Sequence, residues 1–324
     1  MHEAQAALTA LLQSPLIRVV AVITLPDENR RRLSGAADLP GAARAAGVPL
    51  IRETDLNTPD VVARVSALVP DLMVVVGWTR LLGPDLLSVP RHGCVGYHAS
   101  LLPRHRGRAP VNWAILRGET VTGNTMMMLD PGVDTGDIVD QRTVPIGPED
   151  TCGTVYDRVA RAGAGMLIAH LPALLTGTAP RCPQDPAEGD VLPRRTPAMG
   201  VIDWDRPARA VHDWVRALTT PYPGAFGVLH GERVMVWHTR LPSGDEPGGP
   251  PGSVLSVEPG GVRVATRDGS VLVTDMSGPD ELPQPAALWS RQAGVRPGAR
   301  FEAVPPEVAR WVLGQGPRPE AGAR

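Results

Sequence analysis

The chain has 324 residues, 43% of them hydrophobic and 20% charged, with 32 basic residues against 34 acidic ones for a formal net charge of −2. That length buries a large core and predicts two domains. No stretch approaches 18 uninterrupted apolar residues and the N-terminus lacks a charged-then-apolar leader, so neither membrane insertion nor export is expected, and the expected compartment is the cytoplasm. Every basic residue is arginine, which excludes a lysine Schiff base and a phosphate-loop lysine. Cys94, Cys152 and Cys182 are odd in number and widely spaced, which fits incidental thiols better than a disulfide frame or a zinc site, and no metal is expected. Near-neutrality without an extended basic block argues against a large nucleic-acid footprint. The triplet Arg30-Arg31-Arg32 reads as a solvated loop.

In chain order, EAQAALTALLQSP has helical spacing and a proline stop, and IRVVAVIT reads as a buried strand. DLPGAARAAGVPLI predicts a short helix and then an extended piece at Val48–Ile51. TPDVVARVSALVP predicts a helix capped by Thr58, and DLMVVVG a strand buried on both faces of a parallel sheet. GCVGYHA is a further strand, VNWAILRG a helix ending at Gly118, and GNTMMML a strand leading into DPGVDTGDIVDQ. Residues 153–176 form a long amphipathic helix. This alternation predicts a doubly wound α/β domain over residues 1–177. Proline-rich residues 178–200 read as a linker. Beyond it, RPARAVHDWVRAL is helical, and short β-rich runs with hairpin turns at Gly260-Gly261 and Asp268-Gly269 predict a small closed or half-closed barrel over 201–305. Residues 306–324 read as a helix and a disordered tail.

Two polar patches fall at the predicted C-terminal ends of parallel strands, where open α/β sheets place their ligand crevice. One is His98-Ala99-Ser100, the other Asp130 to Asp137. A histidine titrating near neutrality with a carboxylate beside it makes a proton-transfer pair. A lone histidine at a strand end is nonetheless more often structural, and DPGVDTGD reads equally as a turn held by aspartate side chains. No Gly-x-Ser-x-Gly elbow, phosphate loop or dinucleotide fingerprint offers a rival site.

The stretch HASLLPRHRGRAPVNWAILRGETVTGNTMMMLDPGVDTGDIVDQ resembles the core of the formyltransferases that use 10-formyltetrahydrofolate, through His-x-Ser-Leu-Leu-Pro, Arg-Gly-x-x-Pro and Asp-Thr-Gly-Asp. The likeness continues through PRRTP, RPARAVHDWVRAL and PYPGAFGVLHGERVMVWHTR. It implies a Rossmann-like catalytic domain and an oligonucleotide/oligosaccharide-binding (OB)-like second domain. His98 would be the general acid/base and Asp134 its orienting carboxylate. The folate would lie against Arg80, Leu81 and Leu82, with Arg108 and the backbone of Asp130, Pro131, Gly132, Val133 and Asp134 completing the pocket. For Leu81 and Leu82 plain core packing stays open. Ser100 reads as structural.

Two departures stand out. The family carries Asn two residues before its histidine, where it polarises the formyl oxygen; here Gly96 stands there, and losing one such donor typically costs on the order of 3–4 kcal/mol. Asn124 is a candidate replacement, although strand parity sets it opposite Met127, and Asn112 is a poorer one. The departure leaves two further readings open: an enzyme in which Gly96 makes room for an unusual acceptor or a water, which the presence of both His98 and Asp134 favours, and a protein that binds folate and amine without efficient transfer. Relatives also open with a strand before the first helix, whereas this chain starts at MHEAQAALTALL; a start upstream of Met1 is favoured over a gap with unpaired neighbouring strands. As acceptor, the second-domain likeness favours a small amine, an amino sugar on a nucleotide or an amine of specialised metabolism. The short mixed-charge loop LPDENRRRLSGAADLPG and the net charge disfavour tRNA, which is the runner-up. The oligomeric state is not legible.

Overall fold

A computed structural model describes every residue except Met1, 31–36, Pro186, 245–247 and 320–324. Arg31, Arg32, part of the loop weighed against tRNA, and the end of the tail thus lie outside the described residues. The elements of the first part are α1 (His2–Gln13), β1 (Val22–Thr24), α2 (Asp27–Arg30), α3 (Leu39–Ala45), β2 (Leu50–Arg52), α4 (Pro59–Ser66), β3 (Met73–Val75), α5 (Pro84–Leu87), β4 (Cys94–His98), β5 (Arg106–Gly107), α6 (Pro110–Leu116), β6 (Val121–Met128), β7 (Ile138–Pro145), α7 (Cys152–Thr176) and β8 (Val191–Leu192). The chain folds into two compact units, one of Met1–Val111, Val121–Ile146 and Thr154–Leu192, the other of Asn112–Thr120, Gly147–Gly153 and Pro193–Arg324.

The first unit mixes helices with a four-stranded sheet in the order β3-β4-β6-β7 and a separate parallel pair, β1-β2. Thr58 caps α4 as its side chain predicts, its hydroxyl accepting from Val61 N–H at 3.4 Å. The expectation of a parallel sheet needs correction: β3 and β4 are parallel, but β6 runs antiparallel to β4 and β7 antiparallel to β6. A tight connection through a helix as short as α6 and an apolar run of methionines do not by themselves encode strand direction. Two strands are also shorter and less buried than their composition suggests. IRVVAVIT contributes only Val22–Thr24 as strand, and Met73–Val75 is half-buried. Among the described residues nothing pairs β1 with β3, and an apolar cavity of about 450 Å³ lined by Ala7, Leu8, Val22, Ile23, Val74 and Leu171, among others, opens beside both. Among the described residues β1 and β3 are each paired along one edge only, and the cavity beside them leaves part of their side chains without packed cover.

Helix α7 is long and apolar enough to cross a membrane by length and composition. Its Met166, Leu167 and Leu174 pack in one buried cluster with Val95 of β4 and Met126 and Met128 of β6, the arrangement of a core helix. The stretch read as a linker carries order of its own. Cys182 forms an isolated bridge with Ile138, and β8 pairs in parallel with β5.

The second unit contains α8 (Ala208–Leu218), β9 (Ala225–Leu229), β10 (Glu232–Arg240), β11 (Val254–Glu258), β12 (Gly261–Thr266), β13 (Gly269–Ser277), β14 (Gln284–Pro285), α9 (Ala286–Gln292) and α10 (Pro306–Val312). Its antiparallel sheet runs β11-β12-β13-β10-β9, with β14 added to β13, and both expected hairpin turns are present. The ladder is open; isolated bridges join Arg300 to Ser253 and Phe301 to Leu229. Within this unit the Arg195 guanidinium lies 4.7 Å from the ring centre of Trp113 and 5.0 Å from that of Trp214, and burial pushes it down to about 10.

Candidate active site

The site grows from β4. Cys94, Gly96 and His98 alternate with Val95 and Tyr97, so His98 and Gly96 share one face of the sheet. Register sets Gly96 opposite Met127 and His98 opposite Thr125. Because β6 is antiparallel, Met128 ends opposite Val95 near the start of β4, and Leu129 N–H bonds to the Cys94 carbonyl. The loop from Asp130 to Asp137 therefore begins at the opposite end of β4 from His98 and turns back to reach it. Asp134 arrives with Oδ1 3.5 Å from His98 Nδ1. The second patch is thus not at the end of a parallel strand, yet the two patches meet.

Both partners are held by backbone. His98 Nε2 donates to the His105 carbonyl at 2.7 Å, and Asp134 Oδ2 accepts from Gly107 N–H at 2.8 Å. With the Nε2 proton committed to a carbonyl, Nδ1 is the basic nitrogen of the neutral ring, and it faces the carboxylate. A proton captured there creates a charge that Asp134 stabilises from 3.5 Å. Ser100 ties the intervening loop, its hydroxyl donating to the Arg104 carbonyl at 2.7 Å while its own carbonyl accepts from Thr125. Cys94 offers no competing nucleophile, since burial pushes its thiol up to about 12.

The residues expected around folate divide into two loops linked by one dipeptide. Arg108 Nη2 donates to the Thr79 carbonyl at 2.8 Å, while neighbouring Gly107 holds Asp134. In the first loop Arg80 lies 3.8 Å from Asp55, Leu81 is 51% exposed, and its carbonyl accepts from Asn57, which also receives Gly83 N–H. Leu82 instead packs its side chain into a core cluster with Leu56 and Leu86, which leaves its backbone as the part free to meet a ligand. In the second loop Asp130 accepts from Gly132 N–H and the Thr135 hydroxyl, Pro131 and Gly132 are exposed, and Val133 is 44% exposed. Leu81 and Val133 are therefore large apolar side chains left in solvent on the two loops that would flank a flat heteroaromatic ring. That fits a folate, whose ring needs apolar cover and backbone partners.

Neither candidate replacement for the family asparagine serves. Asn124 points to the other face, donating to Glu3 Oε1 and to the Val159 carbonyl, and Asn112 donates to the Ala217 carbonyl within the second unit. Over Gly96 lies Leu129 instead, whose Cδ2 would be 2.9 Å from a Cβ at that position. Four residues that the sequence did not single out complete the framework: His105, Arg106, Gln184 and Asp190. Only Arg106, within the Arg-Gly motif, carried any signal.

The class these parts define is a group transferase acting on a one-carbon unit: residues 1–171 match the formyl transferase family and residues 194–293 its C-terminal domain. The chain belongs to the formyl transferase family and is a folate-dependent formyltransferase, as its motifs imply. It is 39% identical over 284 residues to the methionyl-tRNA formyltransferase of Moorella thermoacetica, covering 86% of this chain and 89% of that one. Among solved structures, HypX from Aquifex aeolicus in complex with tetrahydrofolic acid superposes with a TM-score of 0.59 at 23% identity, over 78% of this chain and 43% of that one. WlaRD, a sugar 3N-formyl transferase solved in the presence of dTDP and 5-N-formyl-THF, gives 0.63 at 15% identity over 86% of this chain and 95% of that one. The likeness to these two structures shows the fold.

The curated relatives overturn the expectation that tRNA is a disfavoured partner. That expectation leaned on one short loop, part of which lies outside the described residues, and on net charge, a sum in which 32 arginines are cancelled by 34 acids. A sum carries no information on where positive charge gathers on a surface.

Proposed function

We propose that this protein transfers the formyl group of 10-formyltetrahydrofolate to the amino group of methionine carried on tRNA. The observation that carries the acceptor is the identity of 39% spanning 86% of the chain and 89% of a methionyl-tRNA formyltransferase. The chemistry rests on the His98–Asp134 pair. The pair takes a proton from the amine as its nitrogen bonds to the formyl carbon, His98 carrying it with Asp134 balancing the charge, and returns that proton to the folate nitrogen as its bond to that carbon breaks. Arg108, Leu81 and Val133, with the backbone of residues 130–134, hold the donor. Gly96 supplies no side-chain donor to the formyl oxygen. In this reading residues 1–177 form the catalytic domain, residues 201–305 an OB-like domain, and the enzyme works in the cytoplasm beside its charged tRNA.

The test is direct. Incubated with 10-formyltetrahydrofolate and methionyl-tRNA, the protein is expected to release tetrahydrofolate and give formylmethionyl-tRNA, with His98→Ala and Asp134→Asn each lowering the rate by about 10²–10⁴-fold. Formylation of an amino-sugar nucleotide with none of methionyl-tRNA overturns the acceptor. Full activity in His98→Ala overturns the assignment of the pair.

A further inference from the structure

The stretch from Cys182 to Asp190, about fifty residues downstream of Asp134, grips both members of the pair. Gln184 Nε2 donates to the Asp134 carbonyl at 2.9 Å and to the Gly136 carbonyl at 2.8 Å. One amide thus spans the turn that presents the carboxylate. Asp134 has a φ of +54°, in the left-handed region that aspartate enters more readily than most residues with a side chain, and the Gln184 amide bonds the carbonyl of this turn. The orientation of the Gln184 amide is set in turn by Arg106, whose Nη2 and Nε donate to Oε1 at 2.8 and 3.2 Å. Arg106 is 6% exposed and also donates to the carbonyls of Glu188 and Asp185.

The second grip reaches the histidine. Asp190 Oδ1 accepts from His105 N–H at 2.8 Å, and the His105 carbonyl is the group that receives His98 Nε2–H at 2.7 Å. His105 also has a positive φ, of 60°. Two short chains of hydrogen bonds therefore leave one stretch and end on opposite partners. Gln184 fixes the turn of Asp134, and Asp190 holds the N–H of His105, the residue whose carbonyl, one peptide further on, selects which nitrogen of His98 is protonated.

We propose that Gln184 and Asp190 are positioning residues for formyl transfer, setting the separation of His98 and Asp134 and the tautomer of the ring. This rests on the reading of that pair as the proton-transfer groups. Neither residue touches the reacting atoms; each acts through a backbone group, where a small displacement is costly because proton transfer needs hydrogen-bond reach.

The full-length protein is tested in steady-state formyl transfer with thermal unfolding measured in parallel. Gln184→Glu keeps the shape and the Arg106 contact but loses both N–H donors. It is expected to lower kcat by about 10–100-fold while the donor KM changes by less than about threefold, and to displace the pH profile of kcat. Asp190→Ala is expected to do the same, and Asp190→Asn, which still accepts from His105, to recover most of the loss. Should a variant be too unstable to assay at ordinary temperature, Asp134→Asn and Asp134→Asn/Gln184→Glu are compared below its unfolding transition. If Gln184 acts through Asp134, the double variant is no slower than Asp134→Asn alone. Wild-type kcat and pH profile in Gln184→Glu, or losses that multiply in the double variant, overturn the proposal. His98→Ala separates the two readings: if it is inactive while Gln184→Glu is unchanged, only the positioning role fails, whereas if it is active the pair itself is wrong.

Discussion

Position 96 shows how one missing side chain changes the wall of a site. A Cβ at residue 96 would lie 2.9 Å from Leu129 Cδ2 and 3.0 Å from the Val75 carbonyl oxygen. Leu129 occupies the room an asparagine would take. Gly96→Asn is therefore expected to destabilise the protein by about 1–3 kcal/mol, as overpacking does, with activity no higher than that of the parent. Shortening the obstructing side chain in Gly96→Asn/Leu129→Ala is expected to give a faster enzyme than Gly96→Asn. Denaturant unfolding and initial rates on the three proteins check this; a stable, faster single variant refutes the steric account. His98 and Asp134 were legible because their motifs surround them closely in sequence. Gln184 was not: an amide in a proline-rich stretch carries no signal until a turn fifty residues earlier is brought against it.

Among the elements, β5 spans only two residues yet fixes Asp134. Gly107 pairs with Leu192, gives its N–H to Asp134, and has a φ of +95°, with a Cβ there falling 2.5 Å from the Leu192 carbonyl oxygen. Gly107→Ala is expected to push β5 from β8, cost about 1–3 kcal/mol of stability and lower kcat at least tenfold, measured by thermal unfolding and initial rates. An unchanged kcat would show that Asp134 does not depend on this contact. Helix α4 and the β11–β12 and β12–β13 hairpins could be read from capping and turn residues, which act locally. The direction of β6 and the half-burial of β3 could not, because both depend on which strands end up as neighbours.

At the scale of the whole molecule, α1 is anchored by a buried carboxyl. Glu3 accepts from Asn124 at 3.0 Å, and burial raises it from 4.5 to about 7. In the unfolded chain this group ionises near its ordinary value, so between about pH 4.5 and 7 folding must hold a proton that the unfolded chain has released, and stability falls as pH rises through that window. Glu3→Gln is expected to flatten this segment of the stability curve and to be the more stable form above pH 7, seen as a higher Tm there; parallel curves would rule the contribution out.

The clamp formed by Gln184 and Asp190 has a consequence in time as well as in space. Translation delivers His98 and Asp134 well before α7 ends, but the groups that aim them follow only after that helix. A chain halted at Thr176 carries both reactive side chains and the Gly107 N–H that holds Asp134, but not Gln184 or Asp190, so the hydrogen bonds those two make with the backbone of Asp134 and His105 wait on synthesis past Asp190.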